Sequence, residues 1–446
     1  MLIRFVVSNF LSFNEEREFN MLAGNFKNHK HHIYKAGKVE VLKATAMYGA
    51  NGAGKSNLVK AFRFFQEIVE DGKINQSVHD KKFKLYKANA NTPISFEIEF
   101  SIENKIYSYG LSIDNLTVVE EWLYESGITV DDKLIFERKL TEQGKISIEM
   151  ANKYKKTPKQ KLFIELMEEN ILKNNELFLG QTDSIKIDEI SKARKWIENN
   201  LIVIFPDSKF SGLIEVITKS KSFNLLVSEL LKTFGTGVSE LDVETIDFDK
   251  FFGEEDEELK KSLMSTLAST ESFSFPSEQG FVLITKENGK NVVKKVISKH
   301  YDNIGKNITF DLNDESDGTQ RLLDLIPAFN LMMESEITFI IDEIDRSLHP
   351  ALLKSLIKVI MANTSTKGQL IFTTHESNLL DMNIFRQDEI WFAEKDKKTG
   401  GTQIYSLSEF KPRYDLDIQK GYLNGRFGAI PFLSHLEDLN WHTVNA

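Results

Sequence analysis

The run Gly49-Ala-Asn-Gly-Ala-Gly54-Lys55-Ser56 fits G-x-x-x-x-G-K-[ST] at every position, and it lies between a short apolar run, 44–48, and a segment of helical period. In that segment, 55–70, Leu58, Val59, Phe62, Phe65, Ile68 and Val69 fall on one face of a helix. Strand, glycine-rich loop and helix in this order restrict the chain to phosphate-binding α/β folds. Glycines let backbone N–H groups turn inward around phosphates, and the helix start adds its positive dipole end. Lys55 is expected to reach the terminal phosphates of ATP and Ser56 to ligate Mg²⁺, with Gly49, Ala50, Asn51, Gly52, Ala53, Gly54 and Asn57 lining the site.

A second element points the same way. Residues 337–341 are almost unbroken apolar sequence ending in Asp342-Glu343. Phosphoryl transfer needs a carboxylate near Mg²⁺, and hydrolysis needs a base that aligns the attacking water. Asp342 fits the first role and Glu343 the second. An acidic strand end alone is often without function, and the loop at 49–56 decides the reading here. Helical patterns at 319–333 and 351–363 alternate with buried strand patterns at 337–341 and 369–374, as in a parallel sheet covered on both faces.

The chain of 446 residues is long enough for two or three domains. It contains no Cys, which excludes disulfides, thiolate metal sites and cysteine nucleophiles and agrees with a cytoplasmic location. The net charge of −10 argues against coating nucleic acid through global charge and leaves a local basic patch as the route to such a partner. No window approaches the roughly 18 apolar residues of a membrane span. The first ten residues read as a strand rather than a leader.

Strand patterns at 94–102 and 107–113, joined by the turn Glu103-Asn104-Lys105, continue through 118–124 and 133–140 as an antiparallel meander. Helical patterns follow at 161–172, 187–201 and 223–234, opened by a lysine cluster (Lys153, Lys155, Lys156, Lys159, Lys161) and closed by an acidic run over 240–258. Such charge runs usually form solvated edges, and less often docking faces for protein or nucleic acid. Strand patterns return at 281–285 and 291–297. His29, His31 and His32 form a lone histidine-rich tract, read as a flexible basic loop in preference to a metal or phosphate site.

Ile341-Asp-Glu-Ile-Asp345-Arg-Ser-Leu-His349-Pro350 resembles the Walker B and D-loop run of ABC-type ATPases of the SMC-like and OLD-like branch. Upstream, Ser316-Asp-Gly318-Thr-Gln320-Arg321 resembles their signature, with Asp317 in place of the first Gly and Thr319 after the second. Downstream, Thr374-His375 resembles their switch histidine. The resemblance implies an α/β ATPase head with a mixed, mainly parallel core sheet and an antiparallel β subdomain. It also implies a head-to-head homodimer or higher oligomer, in which Ser316 and Gly318 of one copy cover ATP held by the other. Asp345 would then lie at the dimer seam, and His375 would sense the γ-phosphate. No Gln stands out as a Q-loop near Lys84-Leu85.

The opening Ser8-Asn9-Phe10-x-Ser12-Phe13, the meander's Tyr109-Gly110 and Glu121-Trp122-Leu123, and the closing Gly421 to Phe432 resemble bacterial ATPases of abortive-infection and restriction-linked phage defence. These include the AbiL and Rlo-type ATPases and the ATPase subunit of PARIS. The resemblance implies a sensor or scaffold that answers a phage trigger and controls a separately encoded toxic effector, often a TOPRIM nuclease. The stretch after His375 is too short for a TOPRIM domain in the same chain. The alternative is an SMC- or RecF-like DNA-maintenance ATPase, but the long heptad arms of SMC proteins are missing. A transporter subunit is disfavoured by the long insertion. The expected organisation is therefore a split head, 1–150 and 279–446, around a mainly helical insertion, 151–278.

Overall fold

The computed structural model describes residues 1–127, 131–182, 186–210, 212–253, 257–277, 280–413 and 416–430. Gln279 at the expected boundary, residues 254–256 of the acidic run, and Pro431 and Phe432 of the closing motif lie outside the described residues. The chain divides into two compact units. The first comprises Met1–Pro206, Met332–Ile344 and Leu356–Ala446, and the second Asp207–Leu331 and Asp345–Ser355.

The first unit is built on a six-stranded sheet in the order Leu201–Ile204, Thr338–Ile341, Gln369–Thr373, Ala44–Tyr48, Ile390–Lys395, Thr402–Ser406. All neighbours are parallel except the last pair. Every residue of Ala44–Tyr48, Thr338–Ile341 and Gln369–Thr373 is buried, as strands covered on both faces must be. A seven-stranded antiparallel sheet runs from Ile146–Met150 through Lys133–Leu140, Thr117–Glu125, Lys105–Asp114, Ile94–Ile102 and Leu2–Ser8 to Arg17–Asn20. The turn between Ile94–Ile102 and Lys105–Asp114 uses Glu103 and Asn104 at φ 49° and 65°, the doubly left-handed pair that matches the strands' twist.

One apolar cluster joins these parts. It takes Met47, Ile340, Ile371 and Trp391 from the core sheet, Leu58, Phe62, Phe65 and Val69 from helix Lys55–Asp71, and Phe5, Phe96, Ile98 and Tyr109 from the antiparallel sheet. Phe5 stacks on Phe62 with centroids 3.9 Å apart. The helix that begins at the phosphate-binding loop is thus fixed along its length by aromatic packing.

Two parts of the chain differ from the sequence reading. Residues 151–206, read as the start of the insertion, pack into the first unit: Trp196 on helix Asp188–Asn199 stacks on Phe100 at 4.3 Å, and Leu201–Ile204 pairs with Thr338–Ile341. The apolar run of that short strand continues the helix's own pattern, which hid the break at Asn200. The second unit also holds a five-stranded antiparallel sheet beside its helices, built from Glu240–Asp247, Ser272–Ser277, Gly280–Glu287, Lys290–Tyr301 and Asn307–Asp311.

The acidic run accordingly begins as a strand whose acids stay on the solvent side, as expected of a charged edge. Lys299 pairs with Asp242 at 2.6 Å and Glu240 at 3.3 Å, and Lys295 with Glu244 at 3.4 Å, so opposite charges face each other across the ladder. Phe248, Leu263, Leu267, Val282, Ile284 and Val293 form one apolar cluster of this unit.

Candidate functional site

Strand Ala44–Tyr48 delivers the chain into the loop 49–54, and helix Lys55–Asp71 leaves it. Gly49, Gly52 and Gly54 take φ of 158°, 76° and 109°. At Gly54 a Cβ would collide with the Thr402 side chain, so this position needs glycine for space as well as conformation. Thr402 Oγ1 donates to Ala53 O at 2.8 Å and lies 2.7 Å from Ser12 Oγ, which accepts from Asn57 Nδ2 at 2.8 Å. These side chains hold the loop from behind.

Lys55 is buried, and its Nζ donates to Gly49 O at 2.7 Å and Ala50 O at 3.2 Å. Its ammonium is therefore held over the loop at the start of the helix, where the N–H groups of Asn57 and Leu58 already close onto Gly54 O at 3.0 and 3.2 Å. Ser56 Oγ donates to Asp342 Oδ1 at 3.1 Å, joining residues 286 positions apart. Asp342 follows the buried strand Thr338–Ile341, and its Oδ1 also accepts from Thr373 Oγ1 at 2.6 Å. Thr373 Oγ1 in turn accepts from the Glu343 N–H at 2.8 Å.

Glu343 has φ 46°, a left-handed turn just beyond the strand end, and its side chain is half-buried. His375 lies two residues past strand Gln369–Thr373 and is exposed, while Thr374 before it is fully buried and donates its N–H to Met47 O at 3.1 Å. Tyr48, Ile341 and Thr373 thus end at the same edge of the core sheet, where open parallel sheets bind ligands.

The structure brings Lys55, Ser56, Asp342, Glu343 and His375 to this edge. Ser316, Gly318 and Asp345 belong to the second unit. There Ser316 Oγ accepts from Thr319 N at 3.2 Å and caps helix Asp317–Glu334, and a Cβ on Gly318 would lie 2.8 Å from Ser347 O. The sequence reading missed Thr373, Ser12 and Thr402. Thr373 stood beside the noted Thr374-His375 and Ser12 inside the noted opening run, whereas Thr402 had no local signal.

Residues 44–381 match the family described as "AAA domain, putative AbiEii toxin, Type IV TA system". The chain belongs to this AAA family. It is a P-loop ATPase domain of mixed α/β ABC type, with a parallel core sheet and antiparallel β subdomains. Nucleotide and, in general, Mg²⁺ are what a P-loop domain of this family holds, and the ammonium, hydroxyl and carboxylate at Lys55, Ser56 and Asp342 are the donor set they require.

No curated protein matches the chain. Among solved structures it is similar to the SMC head domain from Thermotoga maritima, at 13% identity over 91% of this chain and 98% of that one, with a TM-score of 0.39. It is also similar to an SmcHead bound to the C-winged helix domain of ScpA, at 14% identity, 92% and 99% coverage and a TM-score of 0.43. A Smc head domain with an extended coiled coil, bound to the C-terminal domain of ScpA derived from Pyrococcus furiosus, gives 16%, 92%, 97% and 0.39. These likenesses are distant. Among the described residues of this AAA-family chain, no helix is long and apolar enough to cross a membrane.

Thr373→Val keeps the shape of the side chain and removes both of its hydrogen bonds. Bonds to charged groups are worth about 1.5–3 kcal/mol, so ATP turnover is expected to fall about tenfold or more as Asp342 and Glu343 lose their common anchor. Steady-state phosphate release checks this, and an unchanged rate would show that Thr373 positions neither carboxylate.

Proposed function

We propose that this chain is the ATP-binding and ATP-hydrolysing switch of a bacterial anti-phage abortive-infection system. It assembles head to head with a second copy and controls a separately encoded toxic effector of the TOPRIM nuclease class. The observation that carries the catalytic part is the bonded line Ser56–Asp342–Thr373–Glu343 beside the phosphate-binding loop. Membership of a family whose description names a type IV toxin–antitoxin system supports the defence part.

In this reading Lys55 neutralises the terminal phosphates. Mg²⁺, held through Ser56 and Asp342, supplies charge neutralisation on the β- and γ-phosphates. Glu343, the first residue past the metal carboxylate, orients the attacking water and takes its proton. His375, exposed at the same sheet edge, meets the γ-phosphate. Ser316 and Gly318 serve the partner's nucleotide and Asp345 lies at the seam, with a split head around an inserted domain as the organisation. A cytoplasmic setting, a phage-derived trigger and nucleic-acid contact through a local patch complete the reading.

Complementation between two variants tests the shared site. Lys55→Ala and Ser316→Arg are each expected to be inactive alone. In an equimolar mixture each mixed dimer keeps one intact site, so turnover returns, up to about a quarter of the wild-type rate if copies pair at random and the sites act independently. A mixture as inactive as its components would contradict head-to-head sharing.

A further inference from the structure

The histidine tract does not form the loose basic loop expected from the sequence. Lys30–His32 is a single tight turn, entered through His29 at φ 47° and closed by His32 N–H donating to His29 O at 2.9 Å. This folds three imidazoles together. The rings of His29 and His32 stack at 4.8 Å and 14°, and His31 meets His32 edge-on at 4.4 Å. One ring nitrogen from each of the three can be chosen so that all lie within 4.8 Å of one another.

Two of the rings are held from behind. His32 Nδ1 lies 3.0 Å from both oxygens of Glu389, and both residues are buried. Glu389 Oε2 also accepts the Arg386 N–H at 2.8 Å, which fixes the carboxylate. His29 Nε2 lies 2.9 Å from Met382 O. With Nδ1–H of His32 donated to Glu389 and Nε2–H of His29 donated to the carbonyl, His32 Nε2 and His29 Nδ1 carry the lone pairs. A carboxylate or carbonyl behind each imidazole is the arrangement that orients histidine ligands on a metal. His31 is exposed and gives a path of entry.

Two cationic side chains near the rings have partners of their own. Arg386 is itself committed to Asp388 at 2.7 Å, and Lys43 Nζ donates to Asn363 O at 2.6 Å. Glu389 is the carboxyl group in direct contact with the rings. Imidazole nitrogens select zinc-class ions over Mg²⁺, which takes oxygen ligands.

We propose that His29, His31 and His32, backed by Glu389, form a binding site for a divalent transition-metal ion of the zinc class. Zinc–nitrogen bonds of about 2.0–2.1 Å put tetrahedral ligands roughly 3.3 Å apart, so the three rings draw closer together on binding. The ion would lock the turn 29–32, whose His32 rests on Glu389, the residue before strand Ile390–Lys395, which flanks the strand leading into the phosphate-binding loop. The site is separate from the nucleotide's own Mg²⁺ site.

The test uses the full chain without a histidine tag, stripped by chelator and free of nucleotide. Calorimetric titration with Zn²⁺ is expected to give one ion per chain, and Co²⁺ is expected to give the visible d–d absorption of a tetrahedral nitrogen site. His31→Ala and His29→Ala, which avoid the buried His32, should each weaken binding by about 100-fold or more, and Glu389→Gln by about 10–100-fold. Exposed His79→Ala should leave it unchanged. Absence of saturable Zn²⁺ binding in the wild-type chain, or undiminished binding in both histidine variants, would overturn the proposal.

Discussion

Lys55→Ala is expected to lower ATP turnover by at least about 10²–10³-fold, the loss seen when one charge-stabilising donor is removed from a water-poor site. Lys55 is buried, and its ammonium is held by two loop carbonyls at 2.7 and 3.2 Å. Alanine leaves the phosphates' negative charge facing those carbonyl oxygens with nothing to offset it. Nucleotide affinity should fall with turnover, because the lysine meets charge present in the ground state as well as in the transition state. Phosphate release and calorimetric ATP binding measure the two effects. Helix Lys55–Asp71 is anchored by Phe62 and Phe65 rather than by Lys55, so the variant should remain folded by circular dichroism. A Lys55→Ala chain that bound and hydrolysed ATP like the wild type would place the chemistry elsewhere.

Glu343→Gln should have the opposite character. The side chain keeps its size and its left-handed turn, and the Glu343 N–H to Thr373 bond is untouched. What is lost is the ability to take a proton from water, worth about 10²–10⁴-fold in rate. Because Lys55, Ser56 and Asp342 remain, ATP binding should persist, and the ATP-bound assembly should accumulate. Light scattering with ATP is then expected to report twice the mass measured without nucleotide. Lys55→Ala with ATP should keep the nucleotide-free mass.

The legible parts of this chain were those set by neighbours in sequence. Loop, strand and helix around Gly49–Ser56 could be read because the glycine spacing and the helical period of Leu58, Phe62 and Phe65 are local. The antiparallel meander was legible through strict alternation from Ile94 to Ile102. What escaped depends on register between distant strands. Thr373 reaches Asp342 because Phe372 pairs with Ile341, and no pattern within either strand announces it. Glu240–Asp247 alternates the acids Glu240, Asp242 and Glu244 with Leu241 and Val243, but its run of acids masks that short alternation, and the lysines that face them lie some fifty residues later on Lys290–Tyr301. The histidine tract looked like a basic loop because its partner, Glu389, lies 357 positions away.

The most direct measurement of the central claim is the rate of phosphate release from saturating Mg²⁺–ATP by the Glu343→Gln chain beside the wild type. A rate lower by at least about 100-fold, with ATP still bound, is the predicted result. Release at the wild-type rate would contradict the assignment of Glu343, and with it the reading of the Ser56–Asp342–Glu343 edge as the hydrolytic site.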